Sequence, residues 1–270
     1  MRITFIGGGN MASALIGGML KRGAQASEIA VVELLAEGRE RLVRDFGVRA
    51  IESLDAQAAD CDLLVLSVKP QQMREVCAGI APHMKRQTVL SIAAGLRAAD
   101  IGRWLGGHTR MVRAMPNTPA LIGQGVTGLY ADASLGAAER AQAEQVLSAV
   151  GSVVWVDDET LIDAVTAVSG SGPAYVFYFI EALVRGGEAL GLSADQAREL
   201  AIATFTGASA LAAQSPESPA TLRERVTSKG GTTEAALKSM NADAVNEAIV
   251  RALAAAAARG AELGDQLGAA

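Results

Sequence analysis

Ile3-Thr4-Phe5-Ile6-Gly7-Gly8-Gly9-Asn10-Met11-Ala12 decides the class of this chain. A short apolar run leads into three glycines and then into helix formers, a G-x-G-x-x-A pattern between a strand and a helix. Small residues are needed there for distinct reasons. Gly7 permits the tight turn, Gly9 lets the backbone approach a pyrophosphate, and Ala12 allows close packing of helix on strand. The new helix also turns its free N–H groups and positive dipole end toward the phosphates. A glycine-rich turn after a first strand is equally an ordinary turn, so the context matters. Ile29-Ala30-Val31-Val32 reads as the second strand, and Glu33 closes it, 21 residues beyond Ala12. An acidic group at that place accepts hydrogen bonds from the ribose 2′-OH of NAD and repels a 2′-phosphate. Arg39 and Arg41 follow closely and offset part of that repulsion. The expected cofactor is a nicotinamide dinucleotide, with Glu33 leaning toward NADH; a solvated strand end is the plain alternative.

Working outward, the first half alternates short apolar runs with helical stretches. Helices are expected over Met11–Lys21, Ala36–Asp45 and Ala137–Val150. Further strands are expected at Asp62–Val68, Gln87–Ile92, Arg110–Ala114, Val126–Tyr130 and Val153–Val156. Strands joined by helical spacers imply right-handed crossovers and a parallel sheet covered on both faces. After Asp157-Asp158 the rhythm changes to helices alone, near 159–168, 173–190, 193–214, 219–226, 232–240 and 242–266. The expected fold is an α/β Rossmann domain with a mostly parallel sheet over residues 1–158, followed by an all-helical domain over 159–270.

Within the second half, Ala174-Tyr175-Val176-Phe177-Tyr178-Phe179-Ile180 carries four of the chain's ten aromatic residues. A helix apolar all round must be covered all round. A small helical domain has little with which to surround it, so a second copy of the chain is the expected cover and a homodimer the expected assembly.

Composition excludes several classes. The 270 residues carry a net charge of −5 and only 4% aromatics, with no basic run. Such a chain lacks the cations and stacking rings of a nucleic-acid binder. Two cysteines outside any CxxC and two histidines in unrelated segments leave no zinc pattern. No uncharged apolar run reaches membrane-spanning length and no secretory leader is visible, so a soluble cytoplasmic protein is expected.

The chemistry must then be sought in loops. Ser67-Val68-Lys69-Pro70 and Met115-Pro116-Asn117-Thr118-Pro119 each follow a strand, where a parallel sheet gathers its ligands. Asn117 could hold the nicotinamide ribose or carboxamide; each loop is equally a stiff connector. No His, Lys or Tyr/Lys pair sits where a carbonyl reductase keeps its proton donor. An imine substrate lessens that need, because its nitrogen can be protonated before hydride arrives. In Val226-Thr227-Ser228-Lys229-Gly230-Gly231-Thr232-Thr233-Glu234-Ala235, hydroxyls and glycines precede a helix start. The N–H groups of Gly230, Gly231, Thr232 and Thr233 could receive a carboxylate, with the hydroxyls of Ser228 and Thr233 adding bonds. Ordinary N-capping, with Glu234 favoured by the helix dipole, explains the same residues.

Six segments together carry a resemblance. They are FIGGGNMA at 5–12, SVKP at 67–70, SIAAG at 91–95, RAMPNTPALIGQGVTGLY at 113–130, DAVTAVSGSGPAYVF at 163–177 and VTSKGGTTEAAL at 226–237. In order and over essentially the whole chain, the sequence resembles pyrroline-5-carboxylate reductase. The resemblance implies NAD(P)H-dependent reduction of 1-pyrroline-5-carboxylate to L-proline, by a Rossmann domain and a helical dimerisation domain, with each active site completed by the partner subunit. It further implies that Gly7, Gly9, Asn10, Met11 and Ala12 hold the pyrophosphate, and that Ser67, Lys69, Pro70, Ala94, Gly95 and Asn117 line the cofactor cleft. Ser228, Gly230, Gly231 and Thr232 would hold the substrate carboxylate, Thr233 the ring nitrogen, and Thr166 would lie near the ring. Two residues depart from the pattern. Glu33 stands where relatives often carry residues suited to a 2′-phosphate, and NADPH is the usual cofactor of the family. Lys229 stands where proline is common. The rival readings are a β-hydroxyacid dehydrogenase of the 6-phosphogluconate type, whose catalytic lysine is missing from 173–190, and a nucleotide-binding protein without turnover.

Overall fold

The computed structural model describes residues 1–269. Eight strands form one sheet: β1 (Ile3–Ile6), β2 (Ile29–Val32), β3 (Arg49–Ile51), β4 (Leu63–Leu66), β5 (Thr88–Ser91), β6 (Met111–Met115), β7 (Gly125–Ala131) and β8 (Gly151–Trp155). Their order is β3-β2-β1-β4-β5-β6-β7-β8. The chain winds outward from β1 in one direction through β2 and β3, then returns to place β4 on the other side of β1. That reversal opens a crevice beyond the carboxyl ends of β1 and β4. Register is continuous across it, with Phe5 opposite both Val31 and Val65.

The strands read as unbroken apolar runs because both faces are covered. On one face Phe5, Val31, Leu63, Val65 and Leu90 pack with Leu15 and Ile16 of α1 (Asn10–Lys21) and Leu42 of α2 (Ala36–Phe46). After the short α3 (Ala56–Ala59), helices α4 (Met73–Ile80) and α5 (Ala98–Trp104) cover the other face, where Leu64, Leu66 and Val89 meet Met73, Cys77 and Ile101. Helix α6 (Ala137–Ser148) adds Val146 and Leu147 to the first face.

Two features of the sheet depart from the sequence reading. Strand β3 was not expected; it is a three-residue edge strand of half-buried residues, too short and too polar to leave a hydrophobic signal. Strand β7 runs antiparallel to β6. The connection between them is a single 3₁₀ turn, Thr118–Ile122. A parallel partner would need a crossover of a dozen or more residues, which this loop cannot supply.

The C-terminal half is helical, as expected: α7 (Leu161–Val165), a π-turn over Thr166–Gly170, α8 (Gly172–Ala189), α9 (Ala194–Gln214), α10 (Pro219–Arg225), α11 (Thr232–Ala242) and α12 (Val245–Ala269). The compact units divide at Ser171/Gly172, later than Asp158, and the part of α12 from Ala255 onward belongs to the first unit. The cause is local packing: Val165 of α7 fits over Gly128 of β7, and Leu263 of α12 fits against Gly95. In the second unit, α8 packs along α9. Ser193 caps α9 with Gln196 closing the capping box, and Ser218 caps α10 ahead of Pro219.

The helical run Leu161–Ala189 has the length and hydropathy of a membrane span, and only 6% of its most apolar window is buried. Asp163, Glu181, Arg185 and Glu188 interrupt it, so it is not an uncharged run of that length. Phe177 and Tyr178 are 60% and 64% exposed within one chain. Rings left that open require a covering surface.

Candidate active site

The glycine turn sits at the mouth of the crevice. The Gly7 N–H donates to the Val32 carbonyl at 2.8 Å, which ties the turn to β2. With φ at +101°, Gly7 lies in the left-handed region, and a Cβ there would fall 2.9 Å from the Ser67 carbonyl oxygen. Ser67 holds the other side, its hydroxyl lying 3.0 Å from the Ile6 oxygen and 2.8 Å from the Gly7 oxygen. Gly9 is the opposite case. It is the exposed N-cap of α1, nothing lies within 4 Å of where its Cβ would be, and no side chain caps the helix. The first turn of α1 contains no acidic residue, so its free amides face an open cradle. Asn10 and Met11 border that cradle, while Ala12, 1% exposed, seats the helix on the sheet. The cradle fits a dinucleotide pyrophosphate.

Glu33 is engaged at both oxygens. One accepts from the Gly8 N–H and the other from the Leu35 N–H, each at 3.0 Å. Arg39 donates to the carbonyls of Glu33 and Leu34 at 2.8 and 2.7 Å, and Arg41 donates to the Gly8 carbonyl at 2.7 Å. The carboxylate thus braces the glycine turn, and the two arginines brace the backbone around it rather than standing free.

The other cofactor-cleft positions follow neighbouring carboxyl ends. Lys69 and Pro70 lie after β4, with Lys69 exposed; Ala94 and Gly95 lie after β5, with Ala94 exposed; Asn117 lies after β6. Asn117 is only 8% exposed. Its Nδ2 donates to the Ser169 carbonyl at 3.2 Å, and its Oδ1 accepts from the Val126 N–H at 2.9 Å. It therefore joins the loop after β6 to the start of β7 and to the π-turn. Single π-turns inside helices are often found at functional sites. This one begins at Thr166, whose hydroxyl donates to the Ile162 carbonyl at 2.8 Å.

The second unit holds the other motif. The Gly231 N–H is used by the Ser228 carbonyl at 3.0 Å, and the Gly230 N–H by Glu234 Oε2 at 2.5 Å. Among the described residues the amides of Thr232, Thr233 and Glu234 and the hydroxyls of Ser228, Thr232 and Thr233 have no protein partner. They leave a donor-rich surface at the start of α11. The Gly230 N–H, and then Lys238 3.2 Å away, hold the Glu234 carboxyl below its usual range.

Both histidines lie at the other end of the sheet from the cofactor-cleft loops. His83 precedes β5 and His108 precedes β6, at the amino ends of strands whose carboxyl ends carry the loops above. Burial pushes the Cys61 thiol up to about 11 and the Cys77 thiol up to about 12, so neither is a nucleophile at neutral pH. Among the described residues no cluster of His, Cys, Asp and Glu could hold a metal ion. Sequence reasoning named the glycines and loops but missed the bracing roles of Glu33 and Asn117. Those partners lie 25 and 52 positions away, beyond any local pattern.

Comparison with known proteins agrees with this geometry. A family model described as pyrroline-5-carboxylate reductase dimerisation matches residues 159–263. One described as NADP oxidoreductase, coenzyme F420-dependent, matches residues 2–95. The pyrroline-5-carboxylate reductase of Pseudomonas aeruginosa is 50% identical over 99% of this chain and 98% of its own length. The solved structure of a pyrroline-5-carboxylate reductase from Coxiella burnetii superposes with a TM-score of 0.92 at 39% identity, covering 97% of this chain and 98% of that one. The Plasmodium falciparum pyrroline carboxylate reductase, solved with NADP bound, gives a TM-score of 0.85 at 26% identity, covering 98% of each chain.

Proposed function

This chain belongs to the pyrroline-5-carboxylate reductase family, and from that premise we propose how its own residues carry the reaction. The enzyme reduces 1-pyrroline-5-carboxylate to L-proline, the last step of proline biosynthesis, using NAD(P)H, and it acts as a homodimer through its C-terminal helices. A nicotinamide held in this cleft would supply a hydride to the imine carbon, and a ring nitrogen already protonated would become a neutral amine.

The residues divide the work. Gly7, Gly9, Asn10, Met11 and Ala12 form the pyrophosphate cradle, and Ser67 fixes its shape. Lys69, Pro70, Ala94, Gly95 and Asn117 border the rest of the cofactor path. Glu33, at the end of β2, would lie beside the adenosine ribose of a bound dinucleotide. Its negative charge and the engagement of Arg39 and Arg41 with backbone carbonyls support a lean toward NADH, against the family's usual NADPH. The amides of Thr232 and Thr233 and the hydroxyls of Ser228 and Thr232 receive the substrate carboxylate. Thr233 offers its hydroxyl to the ring nitrogen, and Thr166 stands by the ring. No histidine is required, because a protonated imine needs no separate acid at the moment of hydride arrival. The division 1–158 for the cofactor and 159–270 for substrate and dimerisation remains the functional reading. The dimerisation match over 159–263 supplies a protein cover for the apolar run Leu161–Ala189, which favours a soluble enzyme of the cytoplasm.

The observation that carries this reading is that one chain holds both an uncapped cradle at Gly9 and, in its second unit, a hydroxyl-rich helix start at Thr232 and Thr233 without a side-chain cap. The test is turnover of pyrroline-5-carboxylate with NADH and with NADPH, followed by loss of nicotinamide absorbance. Proline formation with at least one cofactor is expected; no turnover with either would overturn the reading.

A further inference from the structure

An acidic residue at the third position of a helix usually reaches back to the N–H of the N-cap residue. In α11 that residue is Glu234 and the N-cap is Gly231. The Gly231 N–H is already taken by the Ser228 carbonyl, which closes a turn over 228–231. Glu234 therefore reaches one residue further and accepts from the Gly230 N–H at 2.5 Å. Gly230 stands in the left-handed region at φ +75°, so its amide is turned back toward the helix. Lys238, one turn on, lies 3.2 Å from the other carboxylate oxygen and orients the side chain.

We propose that Glu234 is a positioning residue for substrate binding: its carboxylate takes the Gly230 amide out of the donor set and locks the loop so that the Thr232 and Thr233 amides receive the substrate carboxylate. The inference rests on the substrate reading given above and sharpens it, because the sequence pattern alone counted Gly230 among the donors. The hydrogen-bond acceptor is what matters. A glutamine keeps an oxygen that reaches Gly230 and loses only the charge. An alanine removes the acceptor and frees the Gly230 N–H.

The experiment compares wild type, Glu234→Gln and Glu234→Ala in full-length protein with pyrroline-5-carboxylate at saturating cofactor. For Glu234→Ala the KM for the imine is expected to rise about tenfold, the loss of one charge-assisted hydrogen bond. The change in kcat should stay within about twofold, and the dissociation constant for the dinucleotide should be unchanged. Glu234→Gln is expected to keep KM within about threefold of wild type, since only an exposed charge is lost. Equal KM values for the two variants, whether both impaired or both like wild type, would overturn the proposal. A lower KM for Glu234→Ala would also overturn it, by making Gly230 a substrate donor. Absence of turnover in the wild type would instead sink the substrate reading, which keeps the two failures apart. Circular dichroism and sedimentation of each variant confirm that the fold and dimer persist.

Discussion

The side-chain amide of Asn117 spans from the Val126 N–H to the carbonyl of Ser169, bonded at 2.9 and 3.2 Å, and so fastens the π-turn to the loop after β6. Both ends of the amide are needed, one as acceptor and one as donor. Asn117→Asp replaces the donor with an acceptor facing a carbonyl in a site only 8% exposed. We expect that variant to lose about 1–3 kcal/mol of stability, the range for a buried polar group left unpaired. Thermal denaturation at fixed protein concentration measures it. An Asp variant as stable as wild type would show that the bridge contributes nothing.

Gly7 and Gly9 should separate folding from binding. A side chain at Gly7 meets the Ser67 carbonyl and a left-handed backbone, so Gly7→Ala should destabilise the fold by about 1–3 kcal/mol. A side chain at Gly9 meets open space. Gly9→Val should therefore melt like wild type while its dissociation constant for the dinucleotide rises at least about tenfold, or roughly 1.4 kcal/mol. Tight cofactor binding by Gly9→Val would place the pyrophosphate elsewhere.

Glu33 is expected to set cofactor choice. Glu33→Ser removes the charge proposed to lie near the ribose and also one brace of the glycine turn. The ratio of kcat/KM for NADPH to that for NADH should rise about tenfold, equivalent to roughly 1.4 kcal/mol of transition-state discrimination. Absolute kcat/KM with both cofactors should fall. An unchanged ratio, or a wild type that already prefers NADPH tenfold, would remove Glu33 from cofactor discrimination.

Thr233 carries, on the first turn of α11, a hydroxyl without a partner among the described residues. Thr233→Ala should lower kcat/KM for the imine by about tenfold to a hundredfold, as for the loss of one or two hydrogen bonds to the reacting molecule. Thr233→Ser keeps the hydroxyl and should recover most of the rate. Steady-state kinetics of the pair decides the point, and an alanine variant with wild-type kinetics would exclude Thr233 from the reaction.

Chemistry that is local in sequence was legible before any coordinates. The glycine turn, Glu33 after the second strand, and the hydroxyl-rich helix start each depend on neighbours within a few residues, and residue type fixes their backbone behaviour. Helix ends follow the same local chemistry, Ser193 capping α9 and Ser218 capping α10 in the structure. Strand β3 was not legible, because three half-buried edge residues carry no periodic signal. The exposure of the aromatic stretch at 174–180 was legible, because a helix apolar all round outstrips what a small helical domain can cover.

The sequence by itself determined a Rossmann sheet followed by helices, the cofactor turn, and the family. Periodicity, glycine and capping residues act over short range, and six ordered motifs are too specific to arise otherwise. Only the tertiary structure decided which partners those residues take. It turned β7 antiparallel through a loop too short to cross over, set Glu33 against Gly8 and Asn117 against Ser169, and gave the Gly230 amide to Glu234. The physical reason is common to all of these. A buried or strongly polar group must find a hydrogen-bond partner, and which partner lies within about 3 Å is settled by the packing of the whole chain.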